Sequence, residues 1–305
     1  MRRSHRVLLS VFLAATVVVC SSRLSAQQMP ADYEAVLKQV GRSGDFKDGV
    51  LKVGIPRNDL HVTVAGRALP TPFGFGGWFA LSKGHGGEEV LMGDFVLLQE
   101  EVNPVMSALL EQGLEVTALH NHFLWEQPRV MYMHIHGHGK AMDLATRIKP
   151  ALDLIGHVVP QEAPPVAPAA AAVAKNETLD TARIAAIVGR QGEQNGSVYK
   201  IAIGRSDLAV EEMGATINAR MGLNTWAAFT GNNQDAVVAG DVAMLEAEVP
   251  LVLATLRKNG LDVVSIHHHM LGTKPVIIFL HYWGTGPAEK LANGFRAALD
   301  ATGIK

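Results

Sequence analysis

The feature that most constrains this chain is that it repeats itself. Val40-Gly41-Arg42 recurs as Val188-Gly189-Arg190, Asp59-Leu60 as Asp207-Leu208 and Trp78 as Trp226, all at an offset of 148. After a one-residue deletion the offset becomes 147: Gly93-Asp94 recurs as Gly240-Asp241, Glu101-Val102 as Glu248-Val249, and Gly113-Leu114 as Gly260-Leu261. The strongest match sets HNHFLWEQPRVMYMH (120–134) against HHHMLGTKPVIIFLH (267–281). Whatever one half folds into, the other must also fold into, and 305 residues suit two units of about 100–150 residues each.

The boundaries follow from composition. Residues 1–26 read as a secretory signal peptide, with Arg2, Arg3 and Arg6 ahead of an apolar run from Val7 to Val19 and small residues at Ser25 and Ala26. That run is too short for a spanning helix, which needs about 20 apolar residues. The lone Cys20 follows Val19, a poor context for lipidation, and cleavage after Ala26 leaves a mature chain without cysteine, as suits an oxidising compartment. Residues 158–178 are rich in Pro and Ala with no apolar period and read as a linker. The repeats therefore occupy 30–157 and 179–305, and the chain is expected to be exported, periplasmic or secreted, with no transmembrane anchor once the signal is removed.

Each repeat has the same order of elements. A first helix is marked by Tyr33, Val36, Leu37 and Val40, and by Ile184, Ile187 and Val188. Strands follow at 50–55, 61–64, 78–81 and 90–98, mirrored at 199–203, 226–229 and 236–245. A helix over 103–111 ends at Gly113 and its mirror over 250–258 ends at Gly260, each with a proline in its first turn. Strands at 115–122 and 130–136 and a helix over 141–154 complete a β-α-β-β-α tail. The fold class is α+β: two homologous repeats, each an antiparallel sheet with helices on one face.

The histidines fall into the duplicated pattern HxH-x11-H. A hairpin turning at 125–129 pairs Leu124 with Val130, His122 with Tyr132 and His120 with His134. Alternation then puts His120, His122, Tyr132, His134 and His136 on one face, opposite Leu119, Phe123, Met131, Met133 and Ile135. The second repeat splits likewise: His267, His269, Phe279, His281 and Trp283 oppose Val264, Ile266, Met270, Val276, Ile278 and Leu280. The apolar face belongs under the helices. A two-residue slip would preserve the split; a one-residue slip would destroy it.

Three imidazoles within about 5–8 Å of each other on rigid strands make a ligand set for a metal ion. The candidate ligands are His120, His122, His134, His267, His269 and His281. Zinc is the first expectation; copper, nickel and iron also accept imidazole. Whether the halves make two sites or pool their ligands is open. Asp94, Asp241, Glu101 and Glu248 recur in both repeats and could complete or orient the ligand set. Asn121 and His268 are further candidates, and Glu101, Glu248 or Glu126 could serve as a general base. A metal-free polar site for an anion or a sugar, and hydrogen bonding between the halves, are the alternative roles for these rings.

Other chemistries are excluded. A net charge of −2 offers no basic footprint for nucleic acid. There is no G-x-S-x-G elbow and no HExxH, and the GFGGW loop (74–78) has no following helix to make a phosphate cradle.

With its export signal and its paired HNHFL…P…H and HHHML…P…H segments, the chain resembles the LppY/LpqO family, bacterial exported or lipid-anchored proteins containing a domain of unknown function. The resemblance covers most of the mature chain and implies an envelope or secreted location. Some members carry a peptidoglycan-binding label. Three roles are therefore expected: a metal-binding protein, a metal-dependent hydrolase or oxygenase, and a cell-wall or carbohydrate-binding module without catalysis, with a cell-wall or small-molecule ligand as partner.

Overall fold

The computed structural model describes residues 28–157 and 178–304; the signal segment 1–26, Cys20 and nearly all of the linker lie outside them. In the first repeat, β1 (Gly44–Lys47), β2 (Val50–Pro56), β3 (Val62–Val64), β4 (Arg67–Leu69), β5 (Gly76–Lys83), β6 (Glu89–Leu98), β7 (Glu115–His120), β8 (Glu126–Gln127) and β9 (Val130–Gly139) accompany helices α1 (Ala31–Val40), α2 (Val102–Glu111) and α3 (Ala141–Leu152). The second repeat has β10 (Glu193–Asn195), β11 (Val198–Gly204), β12 (Glu211–Glu212), β13 (Ala215–Thr216), β14 (Asn224–Gly231), β15 (Ala236–Leu245), β16 (Asp262–His267) and β17 (Ile277–Gly286). Its helices are α4 (Thr181–Val188), α5 (Val249–Lys258) and α6 (Ala288–Ala301). The two six-stranded antiparallel sheets, in the orders β1-β2-β5-β6-β9-β7 and β10-β11-β14-β15-β17-β16, show the expected α+β duplication.

Each sheet buries one face under its helices. Leu51, Phe79, Phe95, Met133 and Ile135 pack there against Tyr33, Val105, Leu144 and Ile148, and the second repeat matches this with Ile201, Phe229, Val242, Leu280 and Tyr282. The other faces meet each other. Val62, Val64, Phe73, Phe75, Phe123 and Tyr132 of the first repeat pack on Val198, Ala228, Val237, Ala239 and Trp283 of the second. A twofold-related cluster packs Val210, Met221, Leu223, Met270 and Phe279 on Val50, Ala80, Val90 and Met92. The layers run helix, sheet, sheet, helix. Burying one such side chain contributes about 1.5–3 kcal/mol. The exposed pairs that also join the halves, Arg67 with Asp235 (2.6 Å) and Arg220 with Asp45 (2.6 Å), add at most about 1 kcal/mol each. Hydrophobic docking therefore holds the halves together.

The hairpin register differs from the expected one by two residues. His120 lies opposite Tyr132, Leu119 opposite Met133 and Ala118 opposite His134, with a bulge between Val116 and Ala118. The strand ends at His120, so His122 belongs to the following loop, and Glu126-Gln127 pairs with β3 instead. The same bulge recurs between Val263 and Ser265. Leu119 and Ile266 stay on the apolar face, opposite Met133 and Leu280, but on the edge strands they are 40% and 49% exposed. Phe123 and Met270 leave that face, to fill the clusters between the sheets.

Candidate metal centre

Each half builds the same row across its sheet. Trp78 lies opposite Asp94 and Asp94 opposite His134; Trp226 lies opposite Asp241 and Asp241 opposite His281. Residues directly opposite in an antiparallel ladder share a face, so every row presents an indole, a carboxyl and an imidazole toward the other half. The glycine before each aspartate permits this. A Cβ on Gly240 would fall on the Trp226 carbonyl and the Tyr282 phenol, and one on Gly93 would crowd Ile135 and the Trp78 carbonyl. His120 and His267 end β7 and β16, and the rings of His122 and His269 lie flat on Tyr132 and Phe279, with centroids 3.3 Å apart in both cases.

The six histidines are buried and pooled between the halves. The rings of His120 and His267 have centroids 3.6 Å apart, those of His122 and His281 3.6 Å, and those of His134 and His269 3.9 Å. His120 is 5.0 Å from His134 and 5.1 Å from His281; His267 is 4.9 Å from His281 and 5.3 Å from His134. Three sets place one ligand atom per residue within 4.8 Å of one another: His120, His267 and His281; His134, His267 and His269; and Asp94, His120 and His134. Both all-histidine sets draw on the two repeats.

Hydrogen bonding leaves these rings free to ligate. The Nδ1 of His281 lies 3.2 Å from the Gly240 carbonyl and that of His120 3.4 Å from the Asn121 carbonyl; His134 is held in the same way by Gly93. A backbone carbonyl accepts only from a protonated nitrogen, so Nε2 keeps its lone pair in these three rings. In all six histidines Nε2 is buried without a hydrogen-bond partner, as is Oδ1 of Asp94. A buried polar atom left unpaired costs about 1–3 kcal/mol. A divalent ion at these nitrogens would remove the penalty, which is why the donor set fits a metal. Burial also keeps the rings neutral: it pushes His120 down to about 4 and holds the other five well below the usual histidine range, neighbouring imidazoles adding to the effect. Burial pushes Asp94 up to about 8 and raises Asp241 in the same direction.

Beside the histidines opens a cavity of about 300 Å³, lined by Trp78, Asp94, Trp226, Asp241, His122, His269 and His281 together with Lys52 and Lys200. Lys52 Nζ lies 3.8 Å from the centre of the Trp78 ring and Lys200 Nζ 4.1 Å from that of Trp226. Sequence reasoning missed both lysines and treated the tryptophans as core. The 148-residue offset that relates Lys52 to Lys200 was the signal available.

Several expected residues are placed elsewhere. Glu101 and Glu248 are not brought to the histidines. Arg57 donates to Glu101 (2.6 Å), to Asp59 and to the Val96 carbonyl, while Glu101 also accepts from the backbone N–H groups of Leu98 and Gly156. Arg205 repeats the arrangement with Glu248, Asp207 and the Ala243 carbonyl. Repetition alone does not distinguish such a structural ion pair from a ligand set. The Asn121 amide donates to the Phe123 carbonyl, and His268 is exposed. Glu126 sits on β8, its carboxyl raised by burial and 3.7 Å from Arg129. His136 is buried with its Nε2 3.1 Å from Glu212 of the second repeat. At the twofold-related positions stand Trp283 and Val64, which share an apolar cluster, so one polar contact and one apolar contact replace each other. His61, His85, His138 and His157 are exposed.

A family model described as Domain of Unknown Function (DUF1259) matches residues 34–154 and again 182–301. No curated protein matches the chain. Among solved structures, a trimeric bacterial microcompartment shell protein, PduB, is 13% identical over 86% of this chain and 90% of its own, with a TM-score of 0.22. EtuB from Clostridium kluyveri is 9% identical over 84% and 89%, with a TM-score of 0.19. Superpositions this loose carry no argument. Among the described residues no helix is long and apolar enough to cross a membrane.

Proposed function

We propose, for a chain that belongs to the domain-of-unknown-function family DUF1259, that the pooled histidines bind a divalent transition metal, zinc first, in an exported periplasmic or cell-envelope protein of the LppY/LpqO type. The single observation that carries this reading is the convergence of six buried imidazoles whose Nε2 atoms all lack a hydrogen-bond partner, that of His269 lying 3.7 Å from the Asp241 carboxyl. A structural histidine cluster would have satisfied those atoms with protein groups. Neutral rings suit a metal, because only the deprotonated nitrogen ligates. Copper, nickel and iron remain alternatives that imidazole also accepts. The test is metal analysis by mass spectrometry on natively purified protein, with His120→Ala and His267→Ala beside wild type. Metal in wild type and its loss in both variants is expected. A wild-type protein that is empty and unmoved by added zinc or copper overturns the reading.

A second reading, a metal-dependent hydrolase or oxygenase, is favoured by the cavity. It reaches His122, His269 and His281 and carries two carboxyls, Asp94, half-buried, and Asp241, buried, in the place of a general base. A bound metal would supply Lewis acidity there. Beside a bound cation Asp94 and Asp241 would be ionised, their protons passing to solvent, and either carboxylate could then accept a proton from a reacting group.

A further inference from the structure

We propose that the cavity binds a small dianionic ligand, carboxylate or phosphate in character, held between the ammonium groups of Lys52 and Lys200. Neither lysine has a carboxylate within ion-pair distance among the described residues: Lys52 donates to the Arg220 carbonyl (3.2 Å), and Lys200 Nζ has the Trp226 ring face. Sunken cations are ordinarily paired. Here each lies on an indole of its own half, and the two face one cavity from opposite sides of the pseudo-twofold axis. The indole face positions the ammonium but leaves its charge uncancelled, since a cation–π contact contributes only about 0.5–2 kcal/mol.

The two ammonium groups give the ligand its sign and size of charge: both face one cavity, and neither has a carboxylate within ion-pair distance among the described residues, so two positive charges are left for a ligand to meet. The volume, about 300 Å³, lies at the low end of ligand pockets, which suits a compact molecule. Gly76 and Gly222 line the wall, and a Cβ on Gly222 would press on Trp78 and His269, so the wall is kept low where indole and imidazole meet.

The test is calorimetric titration of the full mature chain with inorganic phosphate, with succinate and with acetate, before and after chelation, with metal content measured on the same samples. Saturable binding of phosphate or succinate at least ten-fold tighter than acetate is expected, and whichever binds identifies the class. K52M/K200M, which keeps the stems on the indoles, is expected to lose at least ten-fold in affinity while retaining its metal. If that double variant does not fold, K200M with K200R as charge rescue gives the same comparison. A metal-loaded protein that prefers neither dianion, or a lysine variant that binds like wild type, overturns this inference and leaves the metal reading standing. A protein without metal overturns the metal reading; lysine-dependent dianion binding by that protein would still support the inference, and its absence would overturn both.

Discussion

The imidazoles of His120 and His267, one from each repeat, lie 3.6 Å apart at the meeting point of the two halves. Each belongs to two of the three ligand sets, and both belong to the His120, His267 and His281 set that joins the halves. Replacing either by alanine is therefore expected to cut bound metal for the whole centre, not for one half. Mass spectrometry of H120A and H267A against H61A, an exposed control, checks this; loss of half the metal in each variant would instead mean two separate sites.

Acid should unfold the metal-free protein early. Folding depresses the histidine pKa values, so their contribution to stability is complete above about 6.5 and is lost as pH falls toward the folded values, about 4 for His120. That shift alone is on the order of 3 kcal/mol. Asp94 has the opposite sign: its raised pKa stabilises at low pH and loses that effect as pH rises from about 4 through about 8, at about 1.4 kcal/mol per unit. Six histidines outweigh two aspartates on the acid side. Thermal melts of chelated protein should show a Tm maximum near pH 6.5, and added metal should abolish the decline above it.

Gly240→Ala should cost about 1–3 kcal/mol, because its Cβ meets backbone and a buried ring and must displace Asp241. Gly54→Ala, where nothing lies within 4 Å, should be near neutral. Urea denaturation of the two variants gives the comparison.

Arg57→Met leaves Glu101 buried without its cation and should cost about 3–5 kcal/mol while metal per folded molecule stays constant. Retained stability with lost metal would return Glu101 to the centre.

His136→Trp and Glu212→Val should each destabilise, whereas the double variant places at these positions the Trp283 and Val64 pair of the other half, which shares one apolar cluster. A double-mutant cycle is expected to give a coupling of about 0.5–3 kcal/mol in favour of the double change, with metal content unaffected.

Much of this was legible in the sequence. The offsets aligned the repeats, and helical and strand periods placed the elements within a few residues. The apolar alternation brought Met133 and Ile135 under the helices. The register was not legible, because Pro128 marks a turn without stating its length and the bulge after Val116 has no side-chain signature. The sheet-on-sheet packing was also hidden: alternation says that the histidine face must be covered, not by what. Lys52 and Lys200 escaped notice because a lysine on a strand ordinarily points into water, and only the facing indoles show otherwise.

The pooling of the six histidines has a symmetry consequence. A single repeat would supply only three of them, so alone it could gather six only as a self-complementary homodimer, residue for residue across a true dyad. Two copies in one polypeptide are free of that identity. Asn224, at the position of Gly76 in the first repeat, gives the cavity two unlike walls, and Trp283, at the position of His136, breaks the symmetry away from it.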